Sequence, residues 1–220
     1  MSIPAFQLYL FDIDGTLLDS AADICGAARE TLEAAGATGL TDAQLRSYIG
    51  YHLKELFEDV FPGISEERSE ELLRTYRAIY PLREHRSTHI YAGVPEMLSA
   101  LGGLKSTATT KGSETARIVL SQFGLIDYFD HVQGTDGFPC KPEPDVIVRS
   151  LEKFGVAPER CLFIGDAAPD MEAGRRAGVK TCGVAWGYGD VAAMREQAPD
   201  YWITNPLELV SRVDMMGIRR

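Results

Sequence analysis

Apolar and polar positions divide this chain into two kinds of segment. Residues 8–12 form a short apolar run ended by Gly15, the pattern of a buried strand. From 21 to about 35, Ile24, Ala28 and Leu32 recur at helical spacing. Thr41 and Asp42 read as a helix cap ahead of Leu45, Tyr48 and Ile49. Leu53, Leu56, Phe57 and Val60 mark an amphipathic helix stopped by Pro62 and Gly63. Ser65 to Arg68 opens another, with Leu72, Leu73, Tyr76 and Tyr80 on one face, and Pro81 ends or kinks it. No strand pattern interrupts residues 20–85.

Beyond residue 85 the rhythm changes. Helices are predicted over 95–101, 113–123, 144–154 and 171–177, the last three closed by Gly124, Gly155 and Gly178. Strands are predicted over 105–110, 131–134, 161–164, 181–185 and 201–204. Strands that alternate with helices imply an α/β fold with a parallel sheet, whose sites form at the carboxyl ends of the strands. The expected architecture is a Rossmann-like core, residues 1–17 and 86–220, with an α-helical domain inserted at 18–85.

Composition narrows the function. The 220 residues carry a formal net charge of −10, which argues against nucleic acid or an anionic membrane as the main partner. A small anionic ligand is compatible with it, because a local site can be positive on an acidic protein. There is no apolar run of membrane-spanning length. The first residues lack a basic segment followed by an apolar one, so a cytoplasmic location is expected. Cys25, Cys140, Cys161 and Cys182 are widely spaced and read as reduced thiols.

The candidate chemistry lies in the acids. Asp12 and Asp14 are two apart, so a strand would carry both on one face. Gly15 permits a sharp turn directly after them. Asp166 and Asp170 follow the other strong strand. If both strands lie in one sheet, up to four carboxylates meet at one edge. Such a cluster repels itself when empty, and a divalent cation resolves the repulsion. Oxygen-only ligands suit Mg²⁺.

Asp12, Ile13, Asp14, Gly15 and Thr16 resemble the first signature of the haloacid dehalogenase superfamily in its phosphatase form. Thr109 matches the second signature, Lys141 the third, and Gly165, Asp166 and Asp170 the fourth, all in order. The helical insertion also resembles that of the phosphoglycolate phosphatase-like members. The resemblance implies the haloacid dehalogenase-like fold with a helical cap. It implies an Mg²⁺-dependent phosphatase acting on a small phosphorylated metabolite, either phosphoglycolate-like or a sugar phosphate monoester.

The roles it implies are these. Asp12 is the nucleophile that becomes an aspartyl phosphate, and Asp14 is the general acid and then the general base. Thr109 holds a phosphoryl oxygen, and Lys141 offsets the charge of Asp12 and the phosphoryl group. Mg²⁺ is held by Asp12, the backbone of Asp14, and Asp166, with Asp170 bound through water or supporting Lys141. Gly15, Thr16 and Thr110 line the phosphoryl site. Gly50, Tyr51, His52 and Lys54 stand at the cap position that chooses the leaving group. Asp14 favours ester hydrolysis over dehalogenation, because an ester oxygen needs a proton to leave. A phosphosugar mutase of the same superfamily and a non-catalytic phosphometabolite-binding protein are the alternatives. The assembly expected is a monomer or homodimer.

Overall fold

The computed structural model describes residues 3–212. The assigned ranges 1–17 and 86–220 therefore extend, at residues 1–2 and 213–220, outside the described residues.

The chain opens with strand β1 (Leu8–Phe11) and a two-residue strand β2 (Leu18–Asp19). Four helices follow, α1 (Ala21–Ala34), α2 (Asp42–Arg46), α3 (Leu53–Val60) and α4 (Glu66–Ile79). Strand β3 (His89–Ile90), helix α5 (Val94–Ala100), strand β4 (Leu104–Thr107) and helices α6 (Ser113–Gln122) and α7 (Asp145–Phe154) come next. Strand β5 (Cys161–Gly165), helix α8 (Ala168–Ala177), strand β6 (Lys180–Val184), helix α9 (Val191–Glu196), strand β7 (Tyr201–Ile203) and helix α10 (Leu207–Arg212) complete it.

Five strands form one parallel sheet in the order β4-β1-β5-β6-β7. The chain order reverses at β1, and such a switch point is where open α/β sheets leave a crevice. Successive β1 side chains enter different cores, because strand side chains alternate between faces. Leu8 and Leu10 pack with Val146, Ile147 and Phe163. Tyr9, Phe11 and Ile13 pack with Val94, Val119, Leu162 and Ile164 on the other face. Burial on both faces explains why β1 reads as an unbroken apolar run.

Helices α1 to α4 make a separate core. Ala21, Cys25, Ala28 and Leu32 line one stripe of α1 and meet Leu45, Leu56, Phe57, Leu72 and Leu73. The Thr41 signal is a full capping box: its hydroxyl accepts from Gln44 N at 3.2 Å, and Gln44 accepts from Thr41 N at 2.9 Å. The chain leaves and re-enters the sheet core through one antiparallel ribbon, with Leu18 opposite Ile90 and Asp19 opposite His89.

Two sequence expectations differ from the structure. The strand at 105–110 ends at Thr107, because Ala108 N makes a last sheet bond to Phe11 O (2.8 Å) and the Thr109 hydroxyl then turns the chain by accepting from Lys111 N (3.2 Å). The strand at 131–134 reduces to one bridge between Ser106 and His131. There the Thr107 hydroxyl takes the place of a ladder partner, bonding both the N–H and the C=O of Gln133 at 2.9 Å. Helices α9 and α10, and the β2–β3 ribbon, had no clear periodic signal. They are too short for one: α9 rests on an Asp190 cap that accepts from Ala192 N and Ala193 N.

Candidate active site

The sheet register brings the ends of β1, β4 and β5 together. Asp12 N donates to Ile164 O at 2.9 Å, so Asp12 lies level with the end of β5. By alternation it follows Leu8 and Leu10 onto the face where α7 and α8 pack. Lys141, a few residues before α7, reaches the same point. Its Nζ donates to Asp12 Oδ1 (2.8 Å), Asp170 Oδ1 (2.5 Å) and Ala108 O (3.0 Å). An ammonium has three N–H donors, and all three are used. The flanking backbone and a fully buried stem hold it there.

Asp166 ends β5. Its Oδ1 accepts from the Thr16 hydroxyl at 2.9 Å and its Oδ2 from Tyr188 N at 2.8 Å. Gly15 has φ +89°, and a Cβ there would lie 2.1 Å from Asp166 Oδ2. Only glycine therefore lets the first turn close against Asp166. Asp170 Oδ2 accepts from Ala167 N at 3.0 Å, in the first turn of α8. One oxygen from each of Asp12, Asp166 and Asp170 falls within 4.8 Å of the others.

Three buried carboxylates face one ammonium. Burial, only partly offset by Lys141, pushes the Asp12 carboxyl up to about 7. Burial and the charges of Asp170 and Asp12 push Asp166 up to about 8. Burial would lower the Lys141 ammonium, but Asp12 and Asp170 outweigh it and hold it charged. The excess of negative oxygen fits a hard divalent cation.

Asp14 does not join this cluster. Its Oδ1 accepts from the Ser20 hydroxyl at 2.6 Å, and its Oδ2 lies 3.1 Å from Lys111 Nζ. The single-face expectation for the two acids fails past Asp12, because β1 ends at Phe11 and the turn at Gly15 redirects Asp14. Lys111 Nζ also donates to the Tyr80 hydroxyl at 3.1 Å. Thr109 is buried beside this group, and its hydroxyl accepts from Lys111 N. Sequence reasoning passed over Lys111 and Ser20. A lysine two residues after a strand-end threonine was the available signal, but many solvated loop lysines share it.

This geometry has close relatives. The family described as haloacid dehalogenase-like hydrolase matches residues 9–184. The chain belongs to this family. It is 34% identical over 212 residues to a phosphoglycolate phosphatase of Aquifex aeolicus (strain VF5), covering 94% of this chain and 97% of that one. It is 32% identical to a phosphoglycolate phosphatase of Vibrio vulnificus (strain YJ016), covering 91% and 93%. A haloacid dehalogenase-like family hydrolase of Streptococcus pneumoniae superposes with TM-score 0.85 at 26% identity, covering 94% of this chain and 97% of that one.

In this haloacid dehalogenase-like hydrolase the four helical-body positions separate into two groups. Gly50, at φ +95°, comes so close to the core that an added Cβ would lie 2.9 Å from Ala167 Cβ. Tyr51 is half-buried beside it, its hydroxyl pushed up by burial, by Glu55 and by Asp170 across the gap. His52 and Lys54 do other work. His52 caps α3, with Nδ1 accepting from Lys54 N at 3.2 Å. Lys54 ties α3 to α4 through Glu66 (2.5 Å) and Glu70 (2.6 Å). In this structure these contacts lie within the helical body itself. Thr110 is partly exposed, and the hydroxyl that bonds at this turn is that of Thr109. Asp19, at the end of β2, accepts from the Tyr188 hydroxyl at 2.7 Å, while that hydroxyl accepts from Ser20 N and Ala21 N.

Proposed function

We propose that this hydrolase is an Mg²⁺-dependent phosphatase for a small phosphorylated metabolite, phosphoglycolate-like or a sugar phosphate monoester, working through an aspartyl phosphate on Asp12. The carrying observation is the divergence of two acids only two residues apart. Asp12 lies in an acidic cluster against Lys141, and Asp14 lies outside that cluster with its own partners.

Lys141 holds Asp12 Oδ1 and leaves Oδ2 to attack phosphorus. The Asp12 Oδ2–P bond forms as the ester P–O bond breaks, and Asp14 delivers a proton to the leaving alkoxide. Water then attacks the aspartyl phosphate. Asp14 takes the water proton, and phosphate leaves with Asp12 restored. The Thr109 hydroxyl and the Gly15–Thr16 backbone hold phosphoryl oxygens during both steps. Asp12, the Asp14 backbone carbonyl and Asp166 would hold Mg²⁺, with Asp170 behind them, and the bound ion would supply the charge neutralisation that phosphoryl transfer requires.

The helical body, 18–85, acts as the cap. The β2–β3 ribbon that joins it to the core is the hinge, and Gly50 and Tyr51 form the edge that meets the core. Among the described residues no helix is long and apolar enough to cross a membrane. The four cysteines are free thiols, which suits the reducing cytoplasm.

The test is phosphate release from a panel of phosphorylated metabolites, with Mg²⁺ or with chelator, by wild type and Asp12→Asn. Mg²⁺-dependent release lost in Asp12→Asn supports the proposal. Release that survives Asp12→Asn sinks it.

A further inference from the structure

One loop of the core reaches across to the start of the helical body. It follows β6 and carries Trp186, Gly187, Tyr188 and Gly189. Trp186 Nε1 donates to Thr16 O at 3.0 Å, and Tyr188 N donates to Asp166 Oδ2 at 2.8 Å. A Cβ at Gly187 would overlap the Asp166 side chain, and one at Gly189 would overlap the Asp166 carbonyl oxygen. The two glycines therefore let the loop close on Asp166 from both sides of Tyr188. The Tyr188 ring points away from that contact. It packs against the core of the helical body, with the Arg46 guanidinium 5.6 Å from its centroid.

The phenol holds the start of α1. Its oxygen accepts from Ser20 N (2.6 Å) and Ala21 N (3.0 Å) and donates to Asp19 Oδ1 (2.7 Å). One donor and two lone pairs are all used. Ala21 N is among the N–H groups that a helix start leaves without a backbone partner. Ser20 stands at the N-cap of α1, where a serine hydroxyl ordinarily bonds the first turn. The Ser20 hydroxyl makes no such bond here and donates to Asp14 Oδ1 at 2.6 Å, with both residues buried. Tyr188 thus touches Asp166 through its backbone and reaches Asp14 through Ser20.

We propose that Tyr188 is a positioning residue for Asp14, holding Ser20 so that its hydroxyl aims the Asp14 carboxyl at a fixed place relative to the acidic cluster. This rests on the phosphatase reading, in which Asp14 protonates the leaving alkoxide, and deepens it by naming what aims Asp14. Aim matters because a displacement of about 1 Å in a reacting group can cost on the order of 10²-fold in rate. Loss of the phenol oxygen leaves Ser20 N and Ala21 N without their acceptor, and the Ser20 hydroxyl no longer holds its place on Asp14.

The experiment reads kcat/KM, variant over wild type, for p-nitrophenyl, phenyl and ethyl phosphate with Mg²⁺. This constant runs through release of the alcohol, so it reports the step in which Asp14 gives its proton. p-Nitrophenolate leaves without that proton, and ethoxide needs it. Asp14→Asn is expected to lose at least about 100-fold more on ethyl phosphate than on p-nitrophenyl phosphate. Tyr188→Phe keeps the ring and the backbone bond to Asp166, and is expected to lose about tenfold more on ethyl than on p-nitrophenyl phosphate. Ser20→Ala shows the same split, and Tyr188→Phe combined with Ser20→Ala splits no further, because both cut one tie. Equal losses on all the esters in Tyr188→Phe would overturn the proposal, as would additive splits in the double variant. Ser20→Ala without a split would also overturn it, and this variant decides alone if Tyr188→Phe does not fold. Equal losses in Asp14→Asn would instead reject the role of Asp14 in the phosphatase reading beneath it.

Discussion

Two acid–lysine pairs stand at the end of β1, and they are built on different plans. Asp12 and Lys141 are sealed inside the sheet core, with side-chain exposures of 3% and 0%, and Lys141 spends every donor on core atoms. Asp14 and Lys111 lie on the border with the helical body, at 11% and 10%, with Ser20 and Tyr80 as the outer partners. The first pair moves only if the sheet moves. The second pair depends on where the helical body sits. A sealed pair and a border pair are thereby placed two residues apart in the chain.

The largest break in this comparison comes from the acids themselves. Asp12→Asn is expected to lower kcat by at least about 10³-fold on every substrate, as loss of a covalent nucleophile does. Asp14→Asn lowers kcat by about 10²- to 10⁴-fold, the range for a general acid–base. It leaves slow phosphorylation of Asp12 from esters with good leaving groups, detectable by mass spectrometry of the intact protein. Equal loss of that phosphorylation in both variants would show that the two acids do not divide the work.

The lysines come next. Lys141→Met leaves Asp12 and Asp170 buried without a cation and should cost roughly 3–5 kcal/mol of stability. Lys111→Met should cost about 1–2 kcal/mol, because its partner Asp14 keeps the Ser20 hydroxyl. Urea denaturation of the metal-stripped proteins measures both. Similar losses would erase the distinction between a sealed pair and a border pair.

A pH series sharpens it further. The folded-state carboxyls of Asp12 and Asp166 are raised above their ordinary range, to about 7 and about 8. The sign follows by linkage: their protonated forms favour the fold at low pH, and this contribution is lost as pH rises from about 4 through about 8. Bound Mg²⁺ removes the penalty of the ionised forms. The Mg²⁺-induced rise in Tm should therefore be small at pH 5.5 and several degrees larger at pH 8.5. Scanning calorimetry with Mg²⁺ and with chelator checks this, and a pH-independent rise would contradict it.

The smallest effects belong to the helical body. Gly50→Ala forces a Cβ into a left-handed residue against Ala167 and should cost about 1 kcal/mol. It should also reduce kcat/KM, since it props the body away from the core. His52→Ala removes the cap of α3, costs about 1 kcal/mol, and leaves the order of substrates unchanged. A reordered substrate panel in His52→Ala would place His52 at the binding edge.

Much of this was legible along the chain. The strand under Asp12 could be read because both its faces are buried, which leaves an unbroken apolar run. Lys141 could be read because it sits in a local signature with its flanking prolines. Lys111 could not, since its meaning lies in Asp14 and Tyr80, each more than 30 residues away. The helix-cap and helix-tie contacts of His52 and Lys54 were not legible either. They are polar residues near Gly50, and only the folded helical body shows that His52 Nδ1 meets Lys54 N and that Lys54 Nζ meets Glu66 and Glu70.

By itself the sequence determined the two periodicities, the apolar strand that carries Asp12, the glycines that let the turns form, and the order of the four signatures. These are local properties, set by backbone sterics and by the spacing of side chains on one element. The tertiary structure alone decided which carboxylates share a site. Parallel register set Asp12 beside Asp166 and Asp170, and the end of β1 at Phe11 released Asp14 toward Lys111 and Tyr80. Electrostatic partners are chosen by distance through space, and distance through space is what a linear pattern does not contain.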